Sequence, residues 1–409
     1  MRATFSRIFA SFSIRNYRLY ILGQGISMCG SWMQTIGITW LVFEITHSGT
    51  QVGLVLAAQY LPVLILGVFG GVVADNFKKR HTLYVTQILF ALLTTSLGLL
   101  VVFHIEHLWM IYLISTALGL VTVFDTPTRQ SFVVEMVGKE HLRNAVTLNS
   151  TIVNGARVIG PSFAGVLIAT AGVGPLFLIN GVSFIAVIVA LYRMDESRLY
   201  PAPLASKEPG QIRAGLRYAW SVPILRSTLI MMFIIGTFAY EFPVILPLFA
   251  TNTLHGNASL YSELMAAMGF GAVFGGLYSA SRQSLNRRQL VWAAFLFGIS
   301  IAIMSVIGTI ALVLLFMVIV GGLSVLFISL GNTTLQLSSE PSKRGRVMAL
   351  WSIGFQGTTP IGGPIIGYIA DHANPRVGLA VGGVSTIIAG AIGMIILKHA
   401  HQFDSQLLI

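Results

Sequence analysis

Long apolar runs, each about the length of a membrane-crossing helix, repeat along the whole chain with short polar breaks between them. Crossing the hydrocarbon core as an α-helix takes about 20 apolar residues. On that measure spans are predicted over 19–43, 51–74, 82–103, 108–127, 145–170 and 175–193. Six more follow over 226–250, 261–281, 289–309, 311–335, 347–370 and 376–397. The break between the sixth and seventh contains YPAPLASKEPG, a proline-rich polar linker. IRAGLRYAW after it reads as a short amphipathic helix on the inner surface.

Composition fixes the solvent. Of 409 residues 55% are hydrophobic and 10% charged, against about 25% charged in a soluble domain. So few charges cannot cover a water-facing surface, so the chain is an integral membrane protein. The net charge of +11 is a topology signal. With both ends inside, all of the 25 Lys and Arg except Arg157 and Arg376 fall in the N-terminal segment, inner loops, linker or tail. A wrong span count before any loop would scramble that partition, and nucleic acid is discounted as a partner. The N-terminus, with Arg2, Arg7, Arg15 and Arg18 among aromatic and aliphatic residues, reads as an amphipathic segment on the inner membrane surface and not as a cleaved signal peptide. Cys29 is the single cysteine, so no internal disulfide is possible.

The two halves are related. VFGG at Val68–Gly71 recurs at Val273–Gly276, an offset of 205, and Gly160–Pro161 recurs as Gly363–Pro364, an offset of 203. TRQ at Thr128–Gln130 faces TLQ at Thr334–Gln336, an offset of 206. The predicted fold is therefore an all-α membrane protein of twelve transmembrane helices in two pseudo-symmetric six-helix bundles. Its segments are an N-terminal amphipathic stretch (1–18), a first bundle (19–193), a cytoplasmic linker (194–225), a second bundle (226–397) and a cytoplasmic tail (398–409). Two repeated bundles can rock about a shared midplane site.

GGVVADNFKKR after the second span resembles the loop signature of the major facilitator superfamily: Asp75, Lys79 and Arg80 match, while Asn76 and Lys78 depart from the usual Arg and Gly. FDTPTRQSF, LRNAVTLNS and ARVIGPSFAG together resemble the exporter branch that includes enterobactin exporters and macrolide efflux proteins. The resemblance covers essentially the whole chain and implies the major facilitator fold. It also implies an inner gate in which Asp75 and Lys79, with Arg80, network with Asp125 and its neighbour Arg129, and an exporter motif in which Gly155, Gly160, Pro161 and Gly165 shape a helix interface. Read as residues alone, the first group are ordinary inner-boundary charges and the second are small residues that let membrane helices approach.

Arg157 lies near mid-membrane, ~18 Å along the fifth span. An arginine there costs at least ~2.5 kcal/mol, so it faces protein or a water-filled cavity and has a partner. Asn154 and Asn149 share its side. It either contacts substrate or the coupling group, or it is a hydrogen-bonded strut between helices. Glu241 is the one carboxylate well inside an apolar span, with Tyr240 and Thr237 on its face. A desolvated carboxylate there can carry a proton; at the outer boundary it would be solvated and idle. Gln24, Ser27, Ser31 and Gln34 form a polar stripe on the first span that should line a cavity, with Trp32 and Trp40 beside it as substrate-stacking or packing aromatics. The two histidines of HIEH at 104–107 have no supporting ligands, so no metal site is expected. No catalytic constellation and no cofactor is expected.

No phosphate-binding GxxxxGK[ST] loop occurs, which leaves an ion gradient as the common drive. The expected function is export of a small amphiphilic molecule, drug-like or siderophore-like, by proton antiport through a bacterial inner-membrane monomer with both termini cytoplasmic. A lysophospholipid or other lipid carrier of the same fold is the alternative; a transport-dead sensor and an embedded enzyme are the remaining classes.

Overall fold

In a computed structural model of the protein the structure describes residues 10–200, 211–281, 287–340 and 343–406, which are helical with no strand among them. Parts of the expected N-terminal segment (1–9), linker (201–210) and tail (407–409) lie outside the described residues. The helices are α1 (Arg15–Thr46), α2 (Gly49–Asn76), α3 (Lys79–Val102), α4 (Leu108–Gly138), α5 (Glu140–Ala171) and α6 (Val173–Tyr192). After the linker come α7 (Gln211–Ser221), α8 (Pro223–Phe238), α9 (Phe242–Leu248), α10 (Ala258–Ser281) and α11 (Arg287–Val306). The last four are α12 (Ile310–Ser338), α13 (Arg344–Gln356), α14 (Thr359–His372) and α15 (Pro375–Gln406).

Among the described residues 10 stretches are long and apolar enough to cross a membrane. Two more complete the twelve. One is α1, whose 32 residues carry the polar stripe that lowers its hydropathy. The other is the pair α13 and α14, each too short alone.

Two predicted spans are broken, and proline is the cause in both. Pro243 sits in the first turn of α9 and Pro360 in the first turn of α14. A proline cannot donate to the carbonyl four residues back and its ring clashes there. The preceding helices therefore stop at Phe238 and Gln356, and each proline starts the next helix, where its missing N–H costs nothing.

The predicted loop between the fourth and fifth spans is largely helix. α4 continues to a break at Gly138, whose φ of 67° is a left-handed turn, and α5 begins at once. The extension is held by packing: Phe132, Val133, Met136 and Val137 lie on one face and bury against Tyr17, Tyr20, Leu83 and Leu191. Tyr17 donates from its hydroxyl to the Ala145 carbonyl at 2.8 Å, and the Tyr20 and Phe132 rings meet edge to face at 6.1 Å.

The chain divides into two compact units. The first is Met1–Ile45 with Ala58–Ser206, and the second is Thr46–Ala57 with Lys207–Ile409. In the first, α1 packs on α6 along glycines seven residues apart. Cβ atoms at Gly23, Gly30 and Gly37 would run into Ala186, Asn180 and Leu176 respectively, so close approach is what that face is built for. In the second, α10 and α12 approach so closely that a Cβ at Gly271 would overlap the Val318 carbonyl and one at Gly321 the Met268 carbonyl.

Candidate functional site

Of the expected inner-gate residues, Asp75 falls at the end of α2, Lys79 and Arg80 at the start of α3, and Asp125 and Arg129 in α4. Lys79 Nζ donates to Glu135 Oε1 at 2.6 Å, with both side chains largely buried. Arg80 donates from Nε to the Leu191 carbonyl at 2.8 Å and from a terminal nitrogen to Glu196 at 2.5 Å, so it caps the last turn of α6. Just beyond that turn Asp195 accepts from the Ser197 hydroxyl and amide, which hold its carboxyl below the usual aspartate range. Asp125 is buried at 3% exposure. One of its oxygens accepts from Thr86 and from Gln87, both at 2.9 Å, and the other stands 3.6 Å from Arg129. The described partner of Lys79 is thus Glu135, and Asp125 is satisfied by α3 and by its own helix. Asp75 is in the last turn of α2, and its side chain lies outside the described residues.

The polar stripe of α1 divides. Ser31 is exposed, with its hydroxyl bonded to the Ser27 carbonyl at 2.9 Å. Gln24, Ser27 and Gln34 are buried. Gln34 is part of an interhelical network: its Oε1 accepts from Thr94 at 2.9 Å and from Asn180 at 2.5 Å. Asn180 in turn accepts from Ser183 at 2.9 Å. The stripe runs beside the glycines that seat α1 on α6, which carries Gln34 into helix packing. Gln24 Oε1 is buried without a hydrogen-bond partner, a free acceptor in the same helix.

On α5, Arg157 lies over the Trp32 ring of α1, 5.1 Å from guanidinium carbon to ring centroid. Such a contact is worth roughly 0.5–2 kcal/mol. Asn154, one turn back, is half-buried. Gly160 sets the α5–α1 distance: a Cβ there would meet Trp32 Cβ at 2.6 Å and the Cys29 carbonyl at 2.8 Å. Pro161 and Gly165 are buried on the same helix. Gly155 differs, since a Cβ there would meet nothing.

Glu241 occupies the break between α8 and α9, in the second unit, at 3% exposure. The Thr359 hydroxyl, in the first turn of α14, donates to its carboxylate, while Oε1 has no hydrogen-bond partner. A Cβ on Gly362 would stand 3.0 Å from Oε1 and one on Gly363 3.4 Å from Oε2. The carboxylate therefore packs against the two glycines of that turn of α14, where a Cβ on Gly362 would crowd it. Two proline-broken helices meet at one buried carboxylate, an arrangement in which freed helix ends can bind ions. Tyr240 next to it donates to the Ser324 carbonyl at 2.9 Å and packs against Phe297 and Phe355. A small cavity lined by Phe242, Ile245, Ile301, Ile366 and Leu379 adjoins Glu241.

Sequence reasoning missed Glu135, Glu196 and Thr359. Glu135 lies in the segment that reads as a polar loop; the signal that would have found it is its place one turn after Phe132 and directly before Met136, inside a helix. Thr359 was legible as the residue before a proline that starts a helix.

The sequence profile of the family described as transmembrane secretion effector, within the major facilitator superfamily, matches residues 6–406. The chain is similar to the staphyloferrin A transporter of Staphylococcus aureus, 24% identical over 364 residues, 88% of this chain and 90% of that protein. It is also similar to the enterobactin exporter EntS of Citrobacter koseri, 24% identical over 391 residues, 95% of this chain and 93% of that protein. A third relative is the multidrug efflux pump Tap of Mycolicibacterium fortuitum, 23% identical over 392 residues, 92% of this chain and 94% of that protein. Its fold matches that of the POT family transporter PepTSo, with a TM-score of 0.76 at 12% identity over 95% of this chain and 99% of that one. It likewise matches a bacterial homologue of the human lysosomal transporter Spinster, with a TM-score of 0.69 at 15% identity over 93% of this chain and 95% of that one. By the near-complete profile match the chain belongs to the transmembrane secretion effector family of the major facilitator superfamily.

Proposed function

We propose that the protein exports a small amphiphilic molecule, siderophore-like or drug-like, from the cytoplasm of a bacterium by proton antiport and alternating access. The observation that carries the reading is Glu241: a buried carboxylate with one oxygen unpartnered, set between two broken helices. Such a group can take up and release a proton as its surroundings rearrange. The relatives named for export of enterobactin and for multidrug efflux support the direction and the substrate class. The test is a panel of siderophores and amphiphilic drugs in an efflux-deficient host, with accumulation measured with and without a protonophore. Lower accumulation that the protonophore abolishes is expected for at least one compound. Gradient-independent movement of a lysophospholipid would instead establish the carrier reading.

Arg157 is assigned here to substrate or coupling contact, with Asn154 beside it. Arg157→Lys keeps the charge and loses the planar five-donor fork, so efflux should fall about tenfold, the effect of ~1.4 kcal/mol. Arg157→Leu should abolish efflux with the melting temperature in detergent retained. A Leu variant that exports at the parental rate removes Arg157 from the mechanism. A parallel fall in melting temperature makes it a strut, stranding acceptors at roughly 1–3 kcal/mol each.

A further inference from the structure

α2 and α14 meet backbone to backbone at a row of glycines. Both carry glycines four residues apart, Gly49 and Gly53 on one and Gly363 and Gly367 on the other. Cβ atoms on Gly53 and Gly367 would overlap the carbonyls of Gly363 and Gly49, so the two backbones touch. The next residue along the α14 stripe, one turn beyond Gly367, is Asp371. Its carboxylate receives the first turn of α2. Gly49 N–H donates at 2.6 Å and Thr50 N–H at 2.9 Å, and the Ser48 and Thr50 hydroxyls donate at 2.7 and 2.6 Å. Ser48 also caps α2 in the ordinary way, accepting from Gln51 N–H at 3.3 Å. The carboxylate thus satisfies two orphan amides at the positive end of a helix dipole.

Three features make this contact a clasp that can open. Asp371 is exposed, so water can replace each bond it gives up. The four glycines of the seam beneath it offer no Cβ to interlock once the clasp is released. And α2 is one helix shared between the two compact units, its first part, Thr46–Ala57, grouping with α14 and the rest with the first unit. The inner end of the same seam reaches Glu241, whose carboxylate lies against Gly363.

We propose that Asp371 is the latch of the outer gate: its four hydrogen bonds hold the first turn of α2 on α14, and parting α2 from α14 along the glycine seam opens the protein to the outside. This rests on the alternating-access reading above. The test is labelling of a cysteine at Val52, a residue of α2 buried at 1% exposure, by a membrane-impermeant maleimide on intact cells, in a Cys29→Ser background. Asp371→Asn should raise the labelling rate at least about tenfold, since hydrogen bonds to a charged group are the strong ones. Thr50→Val, which removes one donor and leaves the carboxylate, should raise it less, and keeps the test standing if the Asn variant folds poorly. A cysteine at Val313, buried in α12 away from the clasp, should label at the parental rate. An unchanged Val52 rate in both variants overturns the latch, and so does an equal rise at Val313, which would mean general loosening. Labelling needs neither substrate nor gradient. A rise at Val52 in a protein that exports nothing would overturn the exporter reading and leave the latch standing; export with unchanged labelling would do the reverse.

Discussion

Glu241→Gln should abolish uphill export while leaving the protein folded. Glutamine has the shape of glutamate, so it fits against Gly362 and Gly363 and keeps an acceptor for the Thr359 hydroxyl. It cannot exchange a proton. One charge moved across 100 mV is worth ~2.3 kcal/mol, a concentration ratio of roughly 50-fold. If Glu241 carries the coupling proton, the sustained gradient of substrate should collapse by that factor, while exchange of labelled for unlabelled substrate across a membrane without a gradient persists. The melting temperature should hold or rise, because the substitution removes a charge whose burial is costly. The measurement is substrate distribution in proteoliposomes with and without an imposed proton gradient. A Gln variant that concentrates substrate as well as the parent would remove Glu241 from coupling, and loss of both exchange and uphill transport would make it a substrate ligand instead.

Gly271→Val should be among the most damaging single substitutions in the second unit. The clash is with the Val318 carbonyl, a backbone atom, so relief requires α12 itself to move. Gly321→Val repeats the insult from the other side, against Met268. Forcing extra atoms into a packed interface costs typically 1–3 kcal/mol, and a backbone clash sits at ~3 kcal/mol or above. Against a total stability of about 5–15 kcal/mol, either variant should show a severalfold loss of monodisperse protein after detergent extraction. Gly155→Ala is the contrasting case. Its Cβ meets nothing, and alanine favours helix by up to about 1 kcal/mol over glycine, so stability should be unchanged or improved. A destabilised Gly155→Ala would show that this glycine serves a packing contact after all, as the resemblance to the exporter motif implies.

The predicted twelve helices are present, but their interruptions depended on local chemistry that a hydropathy reading passes over. Pro243 and Pro360 sit in apolar runs that look continuous over 226–250 and 347–370, yet each breaks its helix. The reverse occurred after Pro127: the segment to Gly138 reads as polar loop because it carries Arg129 and Glu135, and it is helical because Phe132 and Met136 face a core assembled from α1, α3 and α6. Of the candidate residues, Glu241 and Arg157 stood out because an ionisable group in an apolar run is conspicuous by itself. Gln34 reads as part of a polar stripe lining a cavity, but its bonds run to Thr94 and Asn180, neither of which any local pattern pairs with it.

The amino-acid sequence alone determined the solvent, the number of crossings, the duplication and the few ionisable groups placed at depth. These follow from the length of apolar runs and the positions of charges, which are properties of the chain read in one dimension. Only the tertiary structure decided which helix faces which. Lys79 belongs to Glu135, 56 residues away, and Asp371 to Gly49, 322 residues away. In a bilayer the lipid-facing and protein-facing sides of a helix are equally apolar, so hydrophobic periodicity does not mark the buried face. Small residues and hydrogen bonds choose it instead, and their partners are defined only when the helices are packed.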